Sequence, residues 1–221
     1  MEDIEIVNLW KQYSKKLDES LVLNTQHAAD ITKMKVQSFL NGMKPLKIFT
    51  VLLGFFWVGF LDVLIIHLFN TATSFFLVSA TILSLLNKLA IGIYLYQLIL
   101  IYQADINQPV LATQDKLARL KSSTLWIARI LFLQLPLWTT FYLTTSMFTN
   151  GNNVFYIVQI SVTLLFTLAA FWLFFNIRFE NKDRKWFRLI FNGNEWTPVM
   201  KSMELLDQVR EYRSEIKNSD T

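Results

Sequence analysis

Two residues of opposite charge, Asp62 and Lys88, lie inside long apolar stretches of this sequence. Asp62 belongs to the run IFTVLLGFFWVGFLDVLIIHLF, and Lys88 follows Asn87 in the segment SLLNKLAIG. A charged side chain at the centre of a bilayer costs about 3 kcal/mol even on lenient scales, so each of these residues needs a compensating partner. Such residues support two kinds of chemistry: an ion pair that holds two helices in register, and a relay for ions or protons.

The positions of the two residues predict that they meet. At a rise of about 1.5 Å per residue, Asp62 lies about 12 Å from the connection between the two runs and Lys88 about 20 Å from it. Helical side chains lean toward the N-terminus, so on two antiparallel helices Asp62 and Lys88 point toward each other. We therefore predict a buried Asp62–Lys88 pair with Asn87 as a third hydrogen-bonding group. The pattern leaves both the structural and the relay interpretation open.

Four apolar stretches have the length of about 20 residues that a transmembrane helix needs. They cover approximately residues 48–69, 74–102, 125–148 and 154–177. Residues of the hydrophobic types make up 53% of the chain, and a water-soluble domain would have to bury all four stretches at once. The predicted fold is therefore an all-α integral membrane four-helix bundle, in which Pro136 kinks the third helix.

The basic residues are distributed unevenly between the connections. The short connections 70–74 and 149–153 contain no Lys or Arg, whereas the link 103–123 carries Lys116, Arg119 and Lys121. Under the positive-inside rule, both termini and this link lie in the cytoplasm. The first 44 residues are mostly polar, so we expect an uncleaved signal anchor rather than a cleaved signal peptide. The predicted location is the bacterial inner (cytoplasmic) membrane, crossed several times.

Residues 1–46 are predicted to form a cytoplasmic amphipathic helix. Its apolar residues recur mostly at steps of three or four, which is the period of one helix face. The predicted partner-binding residues on this face are Trp10, Tyr13, Leu17 and Leu21. We expect them to bind a protein partner, the chain's own C-terminal helix or a second copy of the chain.

Two further signals mark the ends of the cytoplasmic segments. The tetrapeptide GMKP (42–45) predicts that the N-terminal helix stops before the membrane. In the C-terminal helical tail, 178–221, Thr197 followed by Pro198 predicts a helix start. Basic and aromatic residues soon after the fourth stretch favour contact with anionic lipid headgroups over RNA: Lys185, Trp186 and Arg188.

Signs of catalytic chemistry are missing from the sequence. There is no cysteine, which excludes disulfides, thiolate catalysis and Cys-based zinc sites. The two histidines are far apart, and no HExxH, GxSxG or glycine-rich phosphate-binding motif occurs. We therefore predict no enzyme activity, no metal site, no cofactor and no direct contact with nucleic acid.

Three segments resemble a known protein family: LVLNTQHAADITKMKVQSFL (21–40), WIARILFLQLPLWTTFY (126–142) and KWFRLIFNGNEWTP (185–198). They are similar to an uncharacterised family of small four-span inner-membrane proteins of the Bacteroidetes type. Members of that family are often encoded beside an alternative RNA polymerase sigma factor, which implies a regulatory role. No catalytic residues are carried over by the resemblance.

Two functions are compatible with this pattern. The first is a membrane-anchored interaction or regulatory protein whose cytoplasmic helices bind a protein partner, with a link to sigma-factor-dependent regulation implied by the resemblance. The alternative is a small transporter or channel component that uses the intramembrane pair Asp62 and Lys88.

Overall fold

The computed structural model describes residues 2–103, 110–150, 153–191, 193 and 196–205, and in this part the chain consists of helices and turns. The helices are α1 (Glu2–His67), α2 (Ser74–Gln103), α3 (Val110–Phe132), α4 (Leu135–Thr140), α5 (Thr145–Asn150), α6 (Asn153–Asn176) and α7 (Lys185–Phe191), with a 3-10 turn at Phe179–Asn181. Residues 197–205 form a further helical segment, α8. The predicted all-α class is confirmed.

Three helices in the described part, α1, α2 and α6, are long and apolar enough to cross a membrane. Their outward faces are strongly apolar: Phe56 on α1 is 76% exposed and Leu165 on α6 is 64% exposed. Water-soluble proteins rarely expose contiguous apolar surface on this scale. The bounds of α2 and α6 lie within one residue of those predicted for the second and fourth stretches.

The third apolar stretch is not one helix. The predicted helix 125–148 is divided among the end of α3, all of α4 and the first part of α5, with interruptions at 133–134 and 141–144. Pro136 lies in the first turn of α4 and has no N–H to donate to the carbonyl of Phe132. The helix therefore ends here and a new one begins, instead of the predicted kink in one continuous helix.

Helix α1 is continuous through the predicted stop at 42–45. Pro45 removes one backbone hydrogen bond, but Leu40 and Met43 just before it are each 1% exposed. They belong to an apolar cluster with Ile101 of α2 and Leu117 of α3. Packing on the neighbouring helices thus holds the backbone helical where the local signal favours a stop.

The predicted cytoplasmic link 103–123 is also largely helical. Helix α3 begins at Val110, and its buried side chains Leu117 and Leu120 pack against α1 and α2. The same cluster includes Val199 of α8, which is fully buried. The helical packing therefore extends well beyond the apolar stretches.

Close approach of α1 and α2 depends on one glycine. A Cβ added to Gly54 would lie 3.0 Å from Cγ1 of Ile91, which is tighter than an ordinary contact. Ile91 is buried with Val51, Val58 and Tyr94 in a second apolar cluster. A larger residue at position 54 would require the side chain of Ile91 to shift.

Candidate functional site

The α1–α2 hairpin brings Asp62 and Lys88 together. Lys88 Nζ lies 2.9 Å from Asp62 Oδ2 and donates a hydrogen bond of 3.1 Å to Oδ1. The hydroxyl of Ser84 donates a second hydrogen bond to Oδ1 at 2.6 Å. Charge-assisted bonds of this length are stronger than those between neutral groups.

Asn87 is not the third member of this site. Its side-chain amide donates to the carbonyl of Leu83, one turn earlier on α2, at 2.7 Å. Ser84 takes the role predicted for Asn87. Its spacing of four residues from Lys88 is the signal that could have found it, because residues i and i+4 share a helix face.

The pair lies on the outer face of the hairpin, which corrects the expectation that it is buried. The side chains of Lys88 and Asp62 are 49% and 38% exposed. They line an open groove of about 470 Å³, together with Phe55, Val58, Gly59, Ile91, Gly92 and Leu95. A Cβ added at Gly59 or Gly92 would meet no atom within 4 Å, so the two glycines leave the groove open.

A second polar site, which was not predicted from the sequence, joins α1, α2 and α3. Lys47 and Gln97 are both 0% exposed, and Lys47 Nζ donates to Gln97 Oε1 at 2.5 Å. The amide nitrogen of Gln97 donates to the hydroxyls of Ser123 at 3.0 Å and Thr124 at 3.2 Å. The ring of Tyr94 lies 5.0 Å from Lys47 Nζ. Buried charges need such hydrogen-bonding surroundings.

Only part of this network was visible in the sequence. Lys47 stands at the edge of the first apolar stretch, where a lysine normally reaches the headgroups and draws no attention. Gln97 stands inside the apolar run that follows Lys88, and an amide in that position is the signal that could have been followed.

Side-chain hydrogen bonds join the C-terminal end of α4 to α6. Gln159 of α6 donates to the carbonyl of Thr139 at 2.7 Å and accepts from the hydroxyl of Tyr142 at 2.7 Å. Thr139 also donates to the hydroxyl of Thr163 at 3.2 Å. The amide nitrogen of Gln134 is buried without a hydrogen-bond partner among the described residues. Side chains of α6 thus hold the C-terminal end of α4 by hydrogen bonds.

The predicted partner-binding face on α1 is exposed. The exposed fractions are 73% for Trp10, 70% for Tyr13, 67% for Leu17 and 43% for Leu21. Trp10, Tyr13 and Leu17 line a shallow groove with Leu9 and Ser14. We call the exposed face formed by Trp10, Tyr13, Leu17 and Leu21 the N-terminal stripe.

The described part of the C-terminal helix does not cover the N-terminal stripe. Val199 of α8 packs much farther along α1, in the cluster of Val36, Leu40 and Met43. The apolar residues that follow in the sequence, Leu206, Val209 and Ile216, lie outside the described residues.

The predicted headgroup-binding residues lie on the short helix α7. Lys185 and Arg188 are exposed, and Arg188 lies 3.5 Å from Asp183. Trp186 packs on Trp172 of α6, with ring centroids 5.0 Å apart. Next to these residues, Leu189 is 85% exposed. An exposed leucine next to exposed cations on one short helix fits the polar–apolar boundary of a membrane.

Arg129 of α3 contacts the C-terminal end of α6. Its Nε and Nη2 atoms donate to the carbonyl of Ile177 at 2.8 and 2.6 Å. The carbonyls at a helix C-terminus carry partial negative charge and lack partners inside the helix, so a guanidinium is favourable there. Arg129 therefore has a structural role in joining α3 to α6.

Comparisons of the chain with protein-family models, with curated proteins and with solved structures find no match. The resemblance to the small inner-membrane family therefore stays a prediction. The candidate sites of this protein are thus defined by their geometry alone.

Proposed function

We propose that this chain is a membrane-anchored interaction protein that presents the N-terminal stripe of α1 to a helical protein partner. The observation that carries this proposal is that α1 runs unbroken from its exposed stripe into the apolar segment with the length of a span. Residues 6–35 precede the packed part of α1 and extend for about 45 Å as a helix. A partner bound there is rigidly coupled to the membrane anchor.

The distribution of side chains on α1 supports this role. Apolar side chains at steps of three and four residues are the pattern by which one helix binds another or enters an apolar groove. Elsewhere on this segment, Lys15 and Glu19 are exposed and lie 4.0 Å apart. The helix therefore has a polar region for solvent and an apolar face for a partner. The resemblance supports a link to sigma-factor-dependent regulation.

We place the chain in the bacterial inner membrane with both termini in the cytoplasm. The distribution of Lys and Arg among the connections supports this orientation. Helices α1, α2 and α6 supply three spans, and this orientation requires a fourth crossing between α2 and α6. The segment from α3 to α5 would supply that crossing as an interrupted span, which protein contacts can stabilise in a membrane.

The absence of cysteine makes the topology directly measurable. In single-cysteine variants, Ala72→Cys and Asn152→Cys will react with a membrane-impermeant maleimide added from the periplasmic side. Lys116→Cys will react only after the membrane is permeabilised and serves as the matched control. Labelling of Lys116→Cys in intact cells would contradict the proposed orientation.

The N-terminal stripe is tested by paired substitution. We expect Leu17→Gln with Leu21→Gln to reduce the recovery of the bound partner about tenfold, because truncating central interface residues removes most of the binding energy. The melting temperature of the purified chain should barely change, since Leu17 is exposed.

The matched control is Lys15→Gln with Glu19→Gln, which alters the exposed ion pair and leaves the stripe intact. A photo-crosslinking residue at position 17, but not at position 15, should form a covalent adduct with the partner in cells. Equal adduct formation from both positions would show that the stripe is not the binding face.

The alternative function, a small transporter or channel component, has weaker support. The Asp62–Lys88 pair lies on the outer face of the α1–α2 hairpin, whereas relay residues normally face a bundle interior or a water-filled cavity. The interrupted third stretch is the feature that favours transport. Gln159 of α6 bonds to the carbonyl of Thr139 in this stretch, which is a structural arrangement.

A further inference from the structure

The groove around Asp62 and Lys88 places two charged side chains on an otherwise apolar face of α1 and α2. The ion pair is partly exposed between apolar side chains such as Phe55 and Leu95, which are 55% and 40% exposed. At the membrane position proposed above, this face would otherwise meet lipid tails, which offer no hydrogen bonds. A charged pair on such a face requires a polar partner.

The pair also has unused hydrogen-bonding capacity. The Lys88 ammonium has three N–H donors, and the two oxygens of Asp62 are its acceptors in the described part of the chain. These two contacts use at most two of the three donors, so at least one donor has no acceptor among the described residues. The carboxylate has about four acceptor sites, and three are used by Ser84 and Lys88.

We propose that a second copy of this chain occupies the groove, so that Asp62 of each copy faces Lys88 of the other. A face that carries one positive and one negative charge side by side is complementary to itself when rotated about a two-fold axis. Each ammonium then finds the carboxylate of the second copy, and each carboxylate the second ammonium. The proposal rests on the membrane location proposed above.

The shape of the groove suits close contact between two copies. Gly59 and Gly92 lie on its floor, one on each helix of the hairpin, and have open space where a side chain would be. Small residues at helix interfaces in membranes let two backbones approach, which strengthens packing and shortens polar contacts. Small residues and charge complementarity thus occur on the same face.

Disulfide cross-linking in isolated membranes tests this interface. We expect Leu95→Cys, at the rim of the groove, to form a covalent dimer on mild oxidation, at a yield about tenfold above that of Leu165→Cys. Leu165 is a matched control because it is 64% exposed and lies midway along α6, a helix outside the groove. Equal yields from the two positions would overturn the proposal, as would cross-linking of Leu95→Cys only to a protein of different mass.

A charge-exchange experiment separates pairing between copies from pairing within one chain. In the Leu95→Cys background, Asp62→Leu alone and Lys88→Met alone should each lower the dimer yield about tenfold, because each remaining charge then faces an apolar side chain of the second copy and lacks its counter-ion. Co-expression of the two variants with different tags should restore dimers that contain one copy of each. Failure of the mixture to recover would show that the pair acts within one chain only.

Filling the groove provides an independent test that leaves both charges in place. Gly92→Leu should lower the dimer yield of Leu95→Cys about tenfold, since a leucine side chain occupies the space of the second backbone. The melting temperature of the detergent-purified monomer should stay close to that of the parent, because no atom lies within 4 Å of the added Cβ. An unchanged dimer yield from this folded variant would overturn the proposal.

Discussion

Replacement of Gln97 by leucine will lower the melting temperature of the detergent-purified protein by about 10 °C. Gln97 accepts a hydrogen bond from Lys47, and both residues are 0% exposed. A hydrogen bond to a buried charge is worth about 3 kcal/mol, and in a chain of this size each kcal/mol shifts the melting temperature by about 3 °C. The hydroxyls of Ser123 and Thr124 lose the Gln97 amide as well.

Removal of both ends of this contact should be milder. In the double variant Lys47→Met with Gln97→Leu, the buried charge leaves together with its acceptor, and similar volume is kept. We expect it to recover more than half of the lost stability, measured by thermal unfolding in one detergent. Ile99→Leu is the matched control on α2, because Ile99 is 53% exposed. Strictly additive losses from the two single changes would contradict the proposed coupling.

Replacement of either Asp62 or Lys88 alone will also destabilise the protein. Asp62→Leu leaves the ammonium of Lys88 and the hydroxyl of Ser84 without their shared acceptor. Breaking a fully buried pair costs about 3 to 5 kcal/mol, and we expect a smaller loss of about 2 kcal/mol here because the two side chains are 49% and 38% exposed. Lys88→Met should cost a similar amount, since it leaves the carboxylate uncompensated.

The double variant Asp62→Leu with Lys88→Met should melt within a few degrees of the parent protein. The desolvation cost of both charges is then absent, and the side chains of leucine and methionine pack on the same apolar surroundings. Ser84→Ala is the smaller comparison, because it removes one neutral donor and keeps the ion pair. Losses of the two single variants that add up in the double variant would show that the two charges contribute independently.

Features that depend on a single helix were predictable from the sequence. The bounds of α2 and α6 follow from apolar runs of spanning length, and the sharp connection at 70–74 follows from its short polar segment. The meeting of Asp62 and Lys88 also follows from local geometry. Two adjacent antiparallel helices of known length have few ways to place two residues at matching depths.

Features that depend on how several helices pack were decided only in the tertiary structure. Helix α1 continues past Pro45 because Leu40 and Met43 are buried against α2 and α3. The choice of Ser84 over Asn87, and the outward direction of the ion pair, depend on the rotation of α2 against α1. That rotation results from many small packing contacts along both helices. A helix that is apolar on every face carries no sequence pattern that predicts it.

Lys47 is the clearest case of a residue whose environment is determined by helix packing and not by its local sequence. Its type and position are those of a lysine at the edge of a membrane span, and its local sequence predicts an exposed side chain. Gln97 lies fifty residues away in the chain. Helix packing alone brings its amide to the ammonium, and the hydroxyls of Ser123 and Thr124 on α3 complete the surroundings. A charge can be buried where the fold supplies hydrogen-bonding groups from several helices at once, and that is a property of the assembled structure.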